Sequence, residues 1–286
     1  MPEKQIHNLY PLFQNHPLAR VALWHIDALK QEGLSPAMWL TEGERAEVAE
    51  YKNERRRHEW LTSRIALKRL LLEDGIVISP LHAEIRKNPL GCPRVFIRNP
   101  DSATPVEFAC SLAHKNVLVI AGYALQGAHI GIDIERRSWR IQRIRKRFVS
   151  ASDAMIETQD SIGHYTTLWT FKEATSKLLG VGYACGFTKV TCREKTPGVC
   201  EVTTPDKTTL QGHYMWMDNY VIALVTEPWD TAVSNPVEPA ADFAPASQPA
   251  RPWYKQWRRA RRLRRLRRLR ALAKISKPLD DPHGIE

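Results

Sequence analysis

The sequence predicts an α+β fold with mostly antiparallel sheets. Helix-like and strand-like segments come in clusters, without the regular βαβ alternation that builds a parallel sheet. The strand candidates are short and separated by Gly, Pro and Asn turns. Of the 286 residues, 43% are hydrophobic and 26% charged, globular proportions that argue against wholesale disorder.

The elements follow in order. Residues 21–29 (VALWHIDAL) are rich in β-forming side chains and read as a strand. Residues 41–51 and 54–73 read as helices. In the second, Trp60, Leu61, Ile65, Leu67, Leu70 and Leu71 recur near helical spacing, and Gly75 is a stop signal. Strands are expected at 83–86, 93–97, 108–112, 117–124 and 129–134, then helices at 140–148, 150–158 and 164–180. The pattern returns to strands at 186–192, 199–203, 208–215 and 220–226. Residues 228–252 hold six Pro and six Ala with few aliphatics, the composition of a linker. An Arg-rich tail, helical or disordered, occupies 253–286.

The formal net charge is +11, but it is unevenly placed. Residues 251–286 hold 13 Lys/Arg against three acids, and the remainder holds 29 Lys/Arg against 28 Asp/Glu. A nearly neutral body argues against a fold that binds nucleic acid through its whole surface. Five cysteines, with no C-x-x-C pair, fit scattered thiols in a reducing compartment. There is no apolar run like a signal peptide's near the first residue, and the stretch 117–125 is about half of what a bilayer span requires. A cytoplasmic protein is expected.

Two segments carry chemistry. In GIDIE, 131–135, Asp133 and Glu135 stand at i and i+2, on one face of a strand, with Ile132 and Ile134 on the other. Neighbouring carboxylates repel unless a cation lies between them, and Mg²⁺ takes such ligands while keeping water and phosphate oxygens. A solvated strand edge is the competing reading. In WTFKEATSK, 169–177, Trp169, Glu173 and Lys177 share one helical stripe. There the competing reading is a packed Trp beside a surface ion pair, which contributes only about 0.3–0.5 kcal/mol.

Taken together, GIDIE and the W-x-x-K-E-A-x-x-K run some forty residues later resemble the paired signature of the Sfp-type 4'-phosphopantetheinyl transferases. Three further segments agree in order: RRRHEWLTSR at 55–64, N-x-x-G-x-P as Asn88, Gly91 and Pro93, and SLAH at 111–114. The likeness covers roughly 20–226. It implies a pseudo-twofold α+β fold of two similar halves, 1–122 and 123–227, with the metal site in the second and coenzyme A between them. The implied reaction moves the 4'-phosphopantetheine arm of coenzyme A to a serine of an apo acyl, peptidyl or aryl carrier protein, releasing adenosine 3',5'-bisphosphate.

The resemblance also implies residue roles. Asp133, Glu135 and Glu173 would ligate Mg²⁺, and Glu173, or a water it holds, would take the serine proton. Lys177 would contact a coenzyme A phosphate, assisted by Lys172. His114 would hydrogen-bond the pyrophosphate, and Arg64, helped by Arg57, would hold the 3'-phosphate or adenine. A monomer is expected. The chain departs from the family pattern at Asp153, where a glutamate is usual, at Cys92, where a lysine is common, and at Lys115, where a small hydroxyl residue is usual.

Two basic stretches suggest partners. Residues 136–147 carry seven Lys/Arg and are expected to dock an acidic helix of the carrier. In the tail, 258–270 contains nine Arg, and Leu263, Leu266, Leu269 and Leu272 form a broad apolar face, which suits an anionic membrane or nucleic acid. The alternatives to the transferase are a non-catalytic protein acting through that tail and another Mg²⁺-dependent phosphotransferase.

Overall fold

Two antiparallel sheets, each covered by one long helix, form the fold. The computed structural model describes residues 10–26, 35–88, 91–98, 104–125, 127–154, 160–182 and 186–227. These all fall in one compact unit, Met1–Ser234. A second unit, Asn235–Glu286, and the expected linker and tail lie outside the described residues.

The first sheet comprises β1 (Tyr10–Leu12), β2 (Ala19–His25), β3 (Ala83–Lys87), β4 (Pro93–Ile97), β5 (Val106–Lys115) and β6 (Leu118–Ala124), in the order β1-β2-β6-β5-β4-β3. Every residue of β6 is buried, as befits a strand covered on both faces. Before the third strand come α1 (Pro36–Trp39), α2 (Glu42–Ala49) and α3 (Glu54–Glu73). Thr41 and Glu44 close a capping box at the start of α2, and the Asn53 side chain accepts from Arg56 N at 3.0 Å at the start of α3. The apolar stripe of α3 packs Ile65, Leu67 and Leu71 into a core with Trp24, Ile85, Val119 and Ala121. Buried Lys68 pairs with Glu44, whose other oxygen accepts from Ile85 N at 3.0 Å; this ties α2, α3 and β3 together.

The second sheet comprises β7 (Ile130–Arg136), β8 (Thr191–Thr196), β9 (Val199–Thr203), β10 (Thr209–Met217) and β11 (Tyr220–Thr226), in the order β7-β11-β10-β9-β8. Its long helix, α5 (Ser161–Leu179), lies on β7 and β11. Asp160 caps it by accepting from Ile162 N and Gly163 N at 3.0 Å. Gly180 ends it in the left-handed region, φ 73°. Leu168, Phe171 and Ala174 pack there on Phe148, Val202, Ala223 and Val225. The sheets meet where β5 touches β7: Ile132 N donates to Ser111 Oγ at 3.0 Å, joining the SLAH and GIDIE segments.

The α+β class and the two similar halves hold, and 54–73 and 93–97 coincide with α3 and β4. Some expectations need correction. The helix expected at 150–158 does not start: 151–152 form a turn and Ala154 makes a parallel bridge to Arg193, while 155–159 lie outside the described residues. The cause is Asp153, whose Oδ2 accepts from Ser150 N at 2.7 Å and whose Oδ1 accepts from Cys192 N at 2.9 Å. The helix expected at 140–148 is only α4 (Trp139–Arg143) followed by a 3₁₀ turn, Arg145–Arg147. The strand expected at 186–192 opens instead with a 3₁₀ turn, Phe187–Lys189. No described helix is long and apolar enough to cross a membrane.

Candidate active site

The glycine of GIDIE sets the geometry of the site. A Cβ built on Gly131 would lie 1.9 Å from Ala174 O and 2.8 Å from Leu178 N, so β7 can meet the α5 backbone only without a side chain there. This close approach carries Lys177 of α5 to Asp133 of β7. The Lys177 ammonium donates to Asp133 Oδ1 at 2.8 Å, to Ile132 O at 3.1 Å and to Leu112 O at 3.3 Å, bridging both halves. Glu173 stands one turn before Lys177 on the same helix. Asp133 is 8% exposed, and its Oδ2 is buried with no hydrogen-bond partner.

Lys177 lines a cleft of about 610 Å³, within the roughly 300–1,000 Å³ of small-molecule sites. Arg56, Trp60 and Arg64 of α3, His114 of β5 and Lys87 of β3 also line it. The Arg64 guanidinium stacks 3.5 Å from the Trp60 ring centroid, and its Nη2 lies 3.4 Å from Glu47 Oε1, which also accepts from Trp60 Nε1 at 2.8 Å. His114 Nε2 lies 3.7 Å from Glu59 Oε2. Burial lowers the His114 pKa, against the pull of Glu59, so the ring is held neutral at neutral pH.

One wall of the cleft is the turn between β3 and β4. The Asn88 side chain accepts from Cys92 N at 2.9 Å, and Gly91 N donates to Asn88 O at 2.8 Å, with Gly91 at φ 85°. The Asn and Gly of the N-x-x-G-x-P run thus make the bend. Cys92 packs so closely on Gly180 that a Cβ there would fall 2.4 Å from its sulfur.

Not all the expected residues converge. Arg57 is exposed and borders a separate depression with Glu54, His58 and Leu61. The next helix position explains this: Arg56, Trp60 and Arg64 share a face, and Arg57 is turned about 100° from Arg56. Lys172 does not reach the cleft at all. It is fully buried, donating to Asp153 Oδ2 at 2.8 Å and to the carbonyls of Phe148 at 2.6 Å, Val190 at 2.8 Å and Phe187 at 3.1 Å. Arg56 and Lys87 line the cleft without having been singled out from sequence. The i, i+4, i+8 spacing of Arg56, Trp60 and Arg64 was the available signal; Lys87 had none.

The oxygen donors and the orphaned, buried Asp133 Oδ2 suit Mg²⁺. Glu135 Oε2 is likewise buried without a hydrogen-bond partner, on the same face of β7. Its carboxylate forms an ion pair with Lys115, and burial, with a smaller contribution from Asp133, raises its pKa above the usual carboxylate range. Among the described residues, no group of three or more His, Cys, Asp or Glu is gathered as a metal cage.

A cleft with an indole, a stacked guanidinium and further cations can hold a phosphorylated ligand that carries a planar ring. The family model for the 4'-phosphopantetheinyl transferase superfamily matches residues 129–225, and this segment is similar to that superfamily. The match supports a transferase; it spans nearly all of β7 to β11 with α5 and includes Asp133, Glu135, Glu173 and Lys177. Members of the family use coenzyme A as substrate and act on apo carrier proteins. No curated protein matches the chain significantly.

Proposed function

We propose that this protein is an Sfp-type, Mg²⁺-dependent 4'-phosphopantetheinyl transferase that modifies a serine of an apo carrier protein. The observation that carries the reading is the Lys177–Asp133 contact, made inside the segment that matches the superfamily and at the wall of the cleft. Arg64, Arg56 and Lys87 hold the 3'-phosphate of coenzyme A, and the adenine lies against the Trp60–Arg64 stack. His114, neutral, hydrogen-bonds the pyrophosphate. Lys177 places positive charge beside it, where charge develops as the phosphate ester is cleaved. Asp133 fixes that ammonium and, with Glu173, would hold the cation.

The serine Oγ forms a bond to the phosphorus bearing the pantetheine arm. The bond from that phosphorus to the bridging oxygen breaks, and adenosine 3',5'-bisphosphate leaves with the electron pair. The serine proton goes to Glu173 or to a water it holds, because the hydroxyl is a poor nucleophile at neutral pH. Mg²⁺, when bound, offsets the negative charge of the pyrophosphate oxygens. Lys172 has no part in these steps; it holds Asp153 in the core.

The carrier docks on the basic segment that follows β7. There the exposed Trp139 ring has the guanidinium groups of Arg140 and Arg143 at 5.8 and 5.1 Å from its centroid, with Arg145–Arg147 close behind in sequence. Reversing Arg143 and Arg145 to Glu should raise the KM for the carrier in a salt-sensitive way; an unchanged KM sinks that surface.

The test of the function is a panel of apo carriers of the fatty-acid, polyketide and peptide types, incubated with coenzyme A and Mg²⁺. At least one should gain the mass of a phosphopantetheine arm. No gain on any carrier, with nucleotide turned over in their absence, would instead favour another phosphotransferase.

A further inference from the structure

We propose that Glu47 of α2 is a positioning residue for the nucleotide end of coenzyme A, holding three groups of the cleft in place without touching the ligand. The inference rests on the reading that this cleft binds coenzyme A. Trp60, Arg64 and Lys87 line the cleft, while Glu47 stands behind them. The three meet on one atom: Glu47 Oε1 accepts from Trp60 Nε1 at 2.8 Å and from Arg64 Nη2 at 3.4 Å, and lies 3.9 Å from Lys87 Nζ. The indole and the guanidinium are also stacked on each other, with the guanidinium carbon 3.5 Å from the ring centroid. Fixing the edge of the ring therefore fixes the plane against which the adenine lies.

The fold delivers this carboxylate. The Thr41–Glu44 capping box sets the start of α2, and Glu44 pairs with buried Lys68. Glu47 follows Glu44 by three residues on the same helix face, and Arg64 precedes Lys68 by four on α3, so a second ion pair forms beside the first. The β3 side repeats the pattern: Glu44 accepts from Ile85 N, and Glu47 reaches Lys87, two residues further along that strand. The burial of Arg64 calls for the same charge. Its side chain is 4% exposed, and a guanidinium so deeply buried requires an acceptor and a counter-ion. Burial lowers the Arg64 pKa, and Glu47 is the largest opposing influence. The Glu44–Lys68 pair holds the fold; the Glu47 contacts hold the wall of the site.

The experiment measures coenzyme A affinity of the full chain by calorimetry, and kcat and KM with a carrier that it modifies. Glu47→Leu should raise both the Kd and the KM for coenzyme A about tenfold, the effect of losing a charge-assisted hydrogen bond, with kcat within about twofold. Glu47→Gln keeps an acceptor oxygen in place and should stay within about threefold of the unsubstituted protein. In a Trp60→Phe background, which lacks the indole N–H, the penalty for Glu47→Leu should shrink at least about threefold, because the two residues are coupled. Three results would overturn the inference: unchanged or tighter binding in Glu47→Leu, a Gln variant no better than Leu, or a kcat that falls as far as the KM rises. Failure of the underlying reading looks different, as an unsubstituted protein that binds no coenzyme A, and it takes the inference with it. Thermal midpoints check that each variant is folded, and Glu47→Ala serves if Leu is unstable.

Discussion

Gly131 of β7 and Ala174 of α5 lie in backbone contact, so close that a Cβ on the glycine would sit 1.9 Å from the Ala174 carbonyl oxygen. This single approach brings a helix and a strand from segments some forty residues apart to the spacing at which Lys177 grips Asp133. Gly131→Ala must push the two apart. It should destabilise the protein by about 3 kcal/mol, the upper end of overpacking penalties, and reduce transfer even where the variant is folded. Urea unfolding and a transfer assay below the midpoint check both parts; wild-type activity in a folded variant would mean the seam does not position the site.

Lys172→Met leaves Asp153 charged and buried with three carbonyls unsatisfied, and should cost about 3–5 kcal/mol. At a temperature where the variant is folded, its KM for coenzyme A should equal that of the unsubstituted protein. A raised KM with unchanged stability would reinstate Lys172 as a phosphate ligand.

Arg64→Ala and Arg57→Ala separate the two faces of α3. Loss of a charge-assisted phosphate contact is worth about 1.5–3 kcal/mol, so Arg64→Ala should raise the KM for coenzyme A about tenfold or more, and Arg56→Ala should act in the same direction. Arg57→Ala should leave it within about twofold, because its side chain faces another depression. Equal effects at positions 57 and 64 would contradict the assigned cleft.

Acid should destabilise the fold through His16. Its ring is 6% exposed, its Nδ1 accepts from Leu18 N at 3.2 Å, and burial, with His213 and Arg20 nearby, pushes its pKa from the usual 6.5 down to about 4. Between those values the unfolded chain binds a proton that the native state does not, so stability falls as pH drops through that window. His213, also lowered by burial, adds in the same direction. His16→Gln should remove up to about one proton, or roughly 1.4 kcal/mol per pH unit, from the slope of unfolding free energy against pH. An unaltered slope would assign the acid sensitivity elsewhere.

The fold was readable where periodicity and punctuation agreed. The α3 stripe ran up to the stop at Gly75, and β4 lay among Gly, Pro and Asn turns. It was unreadable where tertiary contacts overrode local propensity. Nothing near 150–158 announces that Asp153 will be drawn inward by a lysine nineteen positions later. The same pair explains the error over Lys172: sequence places it beside Glu173, but a residue one position along a helix is turned about 100°, toward the core. The motif residues Asp133 and Lys177 stood out because GIDIE and W-x-x-K-E-A-x-x-K together resemble a family signature; their spacing alone left a solvated edge and a surface pair as competing readings. The Lys115–Glu135 pair was not legible, since it depends on how a hairpin tip packs against a different sheet.

The measurement that bears most directly on the central claim is the mass of an apo carrier protein after incubation with coenzyme A, Mg²⁺ and either the unsubstituted protein or Asp133→Ala. The unsubstituted protein should add one phosphopantetheine arm to the carrier serine, and the folded Asp133→Ala variant should add none on the same timescale. Modification by Asp133→Ala at the unsubstituted rate would contradict the assignment of the active site to the Lys177–Asp133 seam.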